Sequence, residues 1–414
     1  MSGIHSWPSV PLSEAFWFQE GPGVRKWQFT KVGVKLLNVG NIEKDGSLNL
    51  SKTDRHLDEV EVEKKYSHFL VDAGDLVIAS SGISFDEDGL LRTRGVFVKQ
   101  TDLPLCLNTS TIRFKPVEGV SDLRFLRLWL NSRDFRAQIT RLVTGTAQQN
   151  FGPSHLKATK IRLPSLEEQR RIAAILDKAD ELRAKRRAAL AQLNQFALSV
   201  FEKVFGDPSE NPKHWPVRLV SDYVVRFQGG KSIDSEAGES VTTRNRVLKI
   251  SAVTGMHFLS EESKPVPDSY TPPKEHFVSR GDLLFSRANT TELVGAVAYV
   301  HHAPKNLLLP DKLWRFVWRQ PDCIEPRFFW FLFQTPALRR EIGRRATGTS
   351  GSMKNISQEK LMNISTIFPP ISIQRDFVRK LSAIEKMKGL HSTSLKQMDA
   401  LFASLQYRAF RGEL

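Results

Sequence analysis

The chain has 414 residues and carries 60 Lys and Arg against 45 Asp and Glu, a formal charge of +15 that favours a polyanionic partner. Hydrophobic residues at 40% and charged residues at 25% describe an ordinary soluble globular protein, too long for one core. No run approaches the ~18 apolar residues of a membrane span, no basic start precedes an apolar stretch, and neither Cys106 nor Cys323 has a metal-ligand neighbour. A spanning helix, a secretory signal and a zinc site are therefore not expected. A cytoplasmic location is expected, with both cysteines buried.

In chain order, short runs rich in Val, Ile, Leu and Phe predict strands at 32–40, 74–80, 94–100 and 110–116, with an exposed loop at 85–95. A helix studded with arginines is predicted over 121–142. The plan then returns: strands at 246–253, 281–288, 293–302 and 312–318, and a helix near 326–345 that ends in Arg339, Arg340, Arg344 and Arg345. Each half reads as an α+β globule.

The halves also share particular residues. Trp7-Pro8 reappears as Trp215-Pro216, Gly74-Asp75-Leu76 as Gly281-Asp282-Leu283, and Thr144-Gly145-Thr146 as Thr347-Gly348-Thr349. Pro164 is echoed by Pro369, and Gln169-Arg170 by Gln374-Arg375. Offsets that drift only slightly while order is kept point to a duplicated unit, and a duplicated unit suits a target with two halves.

Each half closes on a long amphipathic segment. From Ser165 to about Phe205, and again from Ser372 to about Phe410, apolar residues recur at spacings of three and four. Ser165 is placed as N-cap with Glu167 and Glu168 in the first turn, and Gly206-Asp207-Pro208 stops the first helix. Helices of about 40 residues, about 60 Å long, need a partner along their length, and the two are expected to pair antiparallel.

Signatures of catalysis are missing. No phosphate-binding GxxxxGK[ST] loop occurs, Gly229-Gly230-Lys231-Ser232 being only a fragment, and no dinucleotide fingerprint or base-methyltransferase motif is found. Glu275, Asp282 and Glu292 are the acids from which a metal-dependent nuclease site could be assembled.

TGTAQQNF (144–151), followed by LKATKIRLPSLEEQRRIAAILDKADEL (156–182), resembles the segment that closes a target-recognition domain and opens the spacer helix in specificity (S) subunits of Type I restriction-modification systems. The Gly-Asp-Leu runs and the opening Trp-Pro resemble the same family. The second copy departs from it: TGTSGSMKNIS has two extra residues before Ile356 aligns with Phe151, and the Glu-Glu pair is lost. The resemblance implies two target-recognition domains (1–160 and 207–367) and two spacer helices (161–206 and 368–414) in a pseudo-two-fold repeat. It implies a non-catalytic subunit of a prokaryotic system that reads one half of a bipartite, asymmetric site in double-stranded DNA with each domain. Helices would set the spacer, and modification and restriction subunits would supply S-adenosylmethionine, ATP and magnesium chemistry, with no cofactor in this chain. A stand-alone bridging or regulatory DNA-binding protein is the alternative.

Base-reading side chains are expected on loops between strands, where Arg and Lys suit guanine and Asn and Gln suit adenine. The candidates are Arg92, Arg94, Gln148, Gln149 and Asn150 in the first half, and Arg287, Asn289, Lys312 and Lys354 in the second. Gln169, Arg170, Gln374 and Arg375, at the repeated helix starts, are the candidates for partner binding. The basic run Arg183, Lys185, Arg186 and Arg187 is expected on a solvated helix face, with DNA phosphates or an acidic partner as its sharper use.

Overall fold

The computed structural model describes residues 7–414 except 44, 83, 86–88, 144–149, 234–243, 268 and 349–352. Its contacts divide the chain into two compact units, residues 1–187 with 393–414, and residues 188–392.

The first unit is built on a four-stranded antiparallel sheet of β1 (Phe16–Glu20), β2 (Leu76–Ala79), β3 (Gly95–Phe97) and β4 (Thr111–Pro116), in the order β1-β4-β2-β3. All four residues of β2 are buried because its two faces meet different cores. Leu76 and Ile78 pack with Phe16, Phe114, Phe125 and Trp129, whereas Val77 and Ala79 pack with Leu37, Val96 and Leu105. A second sheet sets Val34–Leu37 between antiparallel His56–Leu57 and parallel Leu105–Leu107. Ser9–Pro11 pairs with Lys160–Arg162, closing the beginning of the unit on its end.

The second unit repeats each of these pairings. Its strands β5 (Val224–Gln228), β6 (Leu283–Ser286), β7 (Val297–Tyr299) and β8 (Leu313–Trp318) run in the order β5-β8-β6-β7, all antiparallel. Arg246–Leu248 lies between antiparallel Ser263–Pro265 and parallel Leu307–Leu308, and Val217–Leu219 pairs with Ser365–Ile367. Leu283 and Phe285 face an aromatic core with Phe328, Phe329 and Phe333, and Leu284 faces the opposite cluster.

Helices cover one face of each sheet. The arginine-rich segment expected as one helix is two, α1 (Leu123–Leu130) and α2 (Arg133–Leu142), because Ser132 takes extended backbone and its hydroxyl caps the N–H of Phe135. Its counterpart is likewise divided, into α4 (Pro326–Leu332) and α5 (Pro336–Arg345), since Thr335 precedes a proline that starts a new helix. The run expected as a strand over 246–253 turns helical at Ser251–Thr254.

The long helices are α3 (Leu166–Phe205) and α6 (Ile371–Ala409), each unbroken, α6 running through Gly389. Within the first unit, Ile172 and Leu176 of α3 and Ala409 of α6 enter the sheet's core. They run antiparallel there: Arg183 pairs with Asp399 at 2.7 Å, while the earlier Arg171 donates to the carbonyl of the later Leu414 at 2.9 Å. Within the second unit, Phe201 and Phe205 of α3 meet Phe377 of α6, ring centroids 5.5 and 5.3 Å apart. The antiparallel pairing is thus built of contacts inside a unit. Cys106 is buried, which pushes its thiol up to about 12, but Cys323 is exposed, contrary to expectation, in a short turn ahead of α4.

Candidate nucleic-acid interface

The repeated Gly-Asp-Leu motif is a turn that launches the central strand of each sheet. Gly74 and Gly281 have φ of +91° and +97°, a region that L side chains avoid, and the next residue folds back to cap the turn. Asp75 accepts the N–H of Asp72 at 2.9 Å, and Asp282 that of Ser279 at 2.8 Å. Each carboxylate also faces an arginine of the neighbouring strand, Arg113 at 3.6 Å and Arg315 at 3.2 Å. Those guanidiniums hold loop carbonyls in turn: Arg113 donates to Leu70 and His68, Arg315 to Phe277 and Glu275.

Asp282 is therefore a structural acid. Burial holds its carboxyl above the usual range, opposed by the Ser279 N–H and Arg315. Glu275, Asp282 and Glu292, the acids from which a nuclease site could have been assembled, form no metal-holding group: the two glutamates are exposed, and no such group of side chains occurs among the described residues.

From these anchored strands the chain runs into loops at one end of each sheet, along matching paths. Just past β2, Ser80 donates its N–H to the Ser110 carbonyl and accepts the N–H of Phe151, both at 3.0 Å. Just past β6, Arg287 donates to Lys312 at 3.1 Å and accepts from Ile356 at 3.0 Å. Phe151 and Ile356 thus occupy equivalent places despite the two-residue difference in the preceding loops. The side chains mounted on this common backbone differ between the units.

In the second unit all four candidates come together. Asn289 lies opposite Lys354 in a two-residue ladder, next to the Arg287 and Lys312 contact. The Arg287 guanidinium is held over Trp314 at 5.6 Å and donates to the Asp311 backbone at 3.0 Å, while Lys354 Nζ donates to the Gly348 carbonyl at 2.8 Å. These cations are fixed by local partners yet part-exposed, so they stand pre-oriented.

In the first unit the candidates separate. Asn150 is exposed beside a cavity of about 490 Å³ lined by Glu20, Ser80, Ser110 and His155. Arg92 is exposed, whereas Arg94 is part-buried and spent on the chain, donating to the carbonyls of Ile42 and Gly82 at 3.3 and 3.2 Å. Gln148 and Gln149 lie outside the described residues. Sequence reasoning missed Glu20, Ser80 and His155, which meet only through tertiary structure. Glu20 is drawn upward in pKa by burial.

The helix-start residues divide by exposure. Gln169 and Gln374 are 0% exposed, and their amides are spent inside the chain. Gln169 accepts from the Asp122 N–H and donates to the carbonyls of Val120 and Pro164, all at 2.9 Å. Gln374 repeats this with Glu325, Cys323 and Pro369. As folded, these glutamines face inward, where no partner reaches them, while Arg170 and Arg375 beside them are exposed. The basic run of α3 is largely neutralised: Arg183 and Arg187 both meet Asp399, and Lys185 meets Glu181.

Comparison with known proteins agrees with this doubled architecture. Residues 31–195 match the family described as the Type I restriction modification DNA specificity domain. The chain is 26% identical over 306 residues to the Type I restriction enzyme EcoKI specificity subunit of Escherichia coli, covering 70% of this chain and 65% of that protein. It is 23% identical over 271 residues to the MjaVIII specificity subunit of Methanocaldococcus jannaschii, covering 62% of each. The matches thus span just under two thirds of these relatives' length. The crystal structure of a Type I S subunit from M. genitalium shares the fold, with a TM-score of 0.56 and 15% identity over 99% of this chain and 97% of that one. The chain is thus similar in sequence to Type I restriction enzyme specificity subunits, carries a match to their DNA specificity domain over residues 31–195, and shares the fold of a solved S subunit.

Proposed function

We propose that this chain is the non-catalytic DNA-recognition subunit of a Type I restriction-modification complex, each unit reading one half of a bipartite, asymmetric site. The observation that carries this reading is one backbone scaffold built twice, with different side chains at equivalent positions: Ser80 where the other unit has Arg287, and Phe151 where it has Ile356. Equivalent scaffolds would approach two half-sites in the same manner, and unlike loops would make the halves differ in sequence. Cations at the sheet ends supply phosphate contacts and, with Asn150 and Asn289, base-edge hydrogen bonds. The net charge of +15 supports the polyanion reading.

The long helices would set the gap between half-sites and dock modification subunits, for which exposed Arg170 and Arg375 are candidate contacts. Methyl transfer from S-adenosylmethionine and ATP-driven cleavage would then reside in partners, in the cytoplasm with the host DNA. The deciding experiment exchanges residues 1–160 for those of a relative with another specificity and sequences the methylome of a host that also expresses the modification subunit. One half of the methylated motif is expected to change while the other stays. A change in both halves, or in neither, would overturn the reading.

A further inference from the structure

Among the described residues, Trp27 is the most exposed large hydrophobic side chain, at 80%. Its loop is nonetheless tightly held. At one end the Gly21 N–H donates to Thr111, and a Cβ on Gly21 would lie 2.3 Å from the Asn108 backbone. At the other, Gly33 has φ +123°, and its Cβ would meet the Leu57 carbonyl at 2.2 Å. Between them Thr30 donates to His56 at 3.0 Å. Gln28, next to the tryptophan, points inward and donates to Glu61 at 2.8 Å and to the Tyr66 hydroxyl at 2.9 Å. Fixing Gln28 inside fixes Trp27 outside.

The ring is flanked by cations. Arg25, Lys26 and Lys31 are exposed, and none is ion-paired with a described carboxylate. Gly21, where the loop begins, abuts Asn108 in the turn that carries Ser110, and Ser110 lines the same cavity as Asn150. An indole on an anchored backbone, unburied and with exposed cations at positions 25, 26 and 31 that pair with no described carboxylate, suits a phosphate backbone and a groove edge.

We propose that residues 25–32 form a second DNA-contacting element of the first unit, with Arg25, Lys26 and Lys31 on phosphates and the Trp27 ring against sugar and base edges. This inference rests on the DNA-recognition reading above. Rigid presentation of the ring avoids an ordering cost on binding, and truncating an aromatic anchor at the centre of an interface costs about tenfold or more in affinity.

The test uses the full chain assembled with its modification subunit and a duplex carrying the motif found by methylome sequencing. W27A is expected to weaken specific binding about tenfold or more, with W27F restoring most of it and melting temperature unchanged. R25A/K26A/K31A is expected to lower the slope of log affinity against log salt by about one per cation removed. Unchanged affinity in W27A and an unchanged salt slope in the triple variant would overturn the inference. Should the 1–160 exchange still alter one half-site, the DNA reading survives that loss, whereas an exchange without effect removes the reading itself. Loss of assembly with the modification subunit in W27A would also overturn the inference, marking the loop as a protein contact.

Discussion

Gln169 Oε1 accepts the backbone N–H of Asp122 at 2.9 Å, and Asp122 is the residue whose own carboxylate caps α1. One buried amide therefore joins the start of a long helix to the start of the helix that packs beside it. The second unit does the same with Gln374 and Glu325, at 3.0 Å.

Replacing Gln169 with Leu strands one N–H and two carbonyls in the interior, and each buried unpaired group costs about 1–3 kcal/mol. A loss of about 2–4 kcal/mol is expected in urea denaturation. Q169E should be at least as damaging near neutral pH, because a carboxylate offers no donor to the Val120 and Pro164 carbonyls. Wild-type stability in both variants would remove the latch from the account.

Gly74→Ala tests the turn of the Gly-Asp-Leu motif. No atom lies within 4 Å of an added Cβ, so the cost is backbone strain alone at φ +91°. It should be about 1–2 kcal/mol, read as a fall in melting temperature.

Lys115 donates to the Asp72 carboxylate, which holds that carboxyl below its ordinary value of 3.8 despite partial desolvation. A depressed folded pKa stabilises above the unfolded value and loses that contribution as pH falls through the folded one. K115M should therefore make the acid limb of the stability curve shallower below about pH 4. Asp282 has the opposite sign: burial raises its pKa, so folding favours its protonated form and its contribution declines as pH rises through the raised value. An acid limb in K115M identical to that of the parent would contradict the assignment.

Asp399 meets both Arg183 and Arg187, at 2.7 and 3.0 Å, and the Arg183 guanidinium lies over Phe402 at 4.2 Å. These part-exposed pairs contribute at most about 1 kcal/mol, so D399A should fold. Arg183 keeps its pair with Asp180 at 2.8 Å, whereas Arg187 is freed and should strengthen non-specific DNA binding and steepen its salt dependence, which a competition titration at several salt concentrations reads out. An unaltered slope would show that this helix face stays off DNA.

Deleting four residues, one turn or about 6 Å, from each long helix should shorten or abolish the permitted gap between the half-sites of the methylated motif. A motif with the same gap would end the role of the helices as a ruler.

Much of this architecture was legible beforehand because it depends on local pattern. Gly74 and Gly281 mark positive-φ turns, Ser165 does cap its helix through the Glu168 N–H at 3.3 Å, and the aliphatic stripes mark helices that proved continuous. The division at Ser132 was written in a capping residue but masked by the apolar residues on either side of it. The candidate site was read less completely. Arg92 and Arg94 look alike in sequence, yet only Arg94 lies where the carbonyls of Ile42 and Gly82 converge.

The sequence by itself determined the duplication, the strand-rich units, the long helices and the positive charge, since repeats, periodicity and composition are properties of chain order. Only the tertiary structure decided what each polar side chain does. It turned Gln169 and Gln374 inward, paired Asp75 with Arg113 and Asp282 with Arg315, neutralised much of the basic run on the first long helix, and left Trp27 in solvent. The physical reason is that a hydrogen bond or ion pair is satisfied by whichever group folding brings within about 3 Å, and for Gln169 with Asp122, Asp75 with Arg113, Asp282 with Arg315 and Arg183 with Asp399 that group lies tens of positions or more away in the chain.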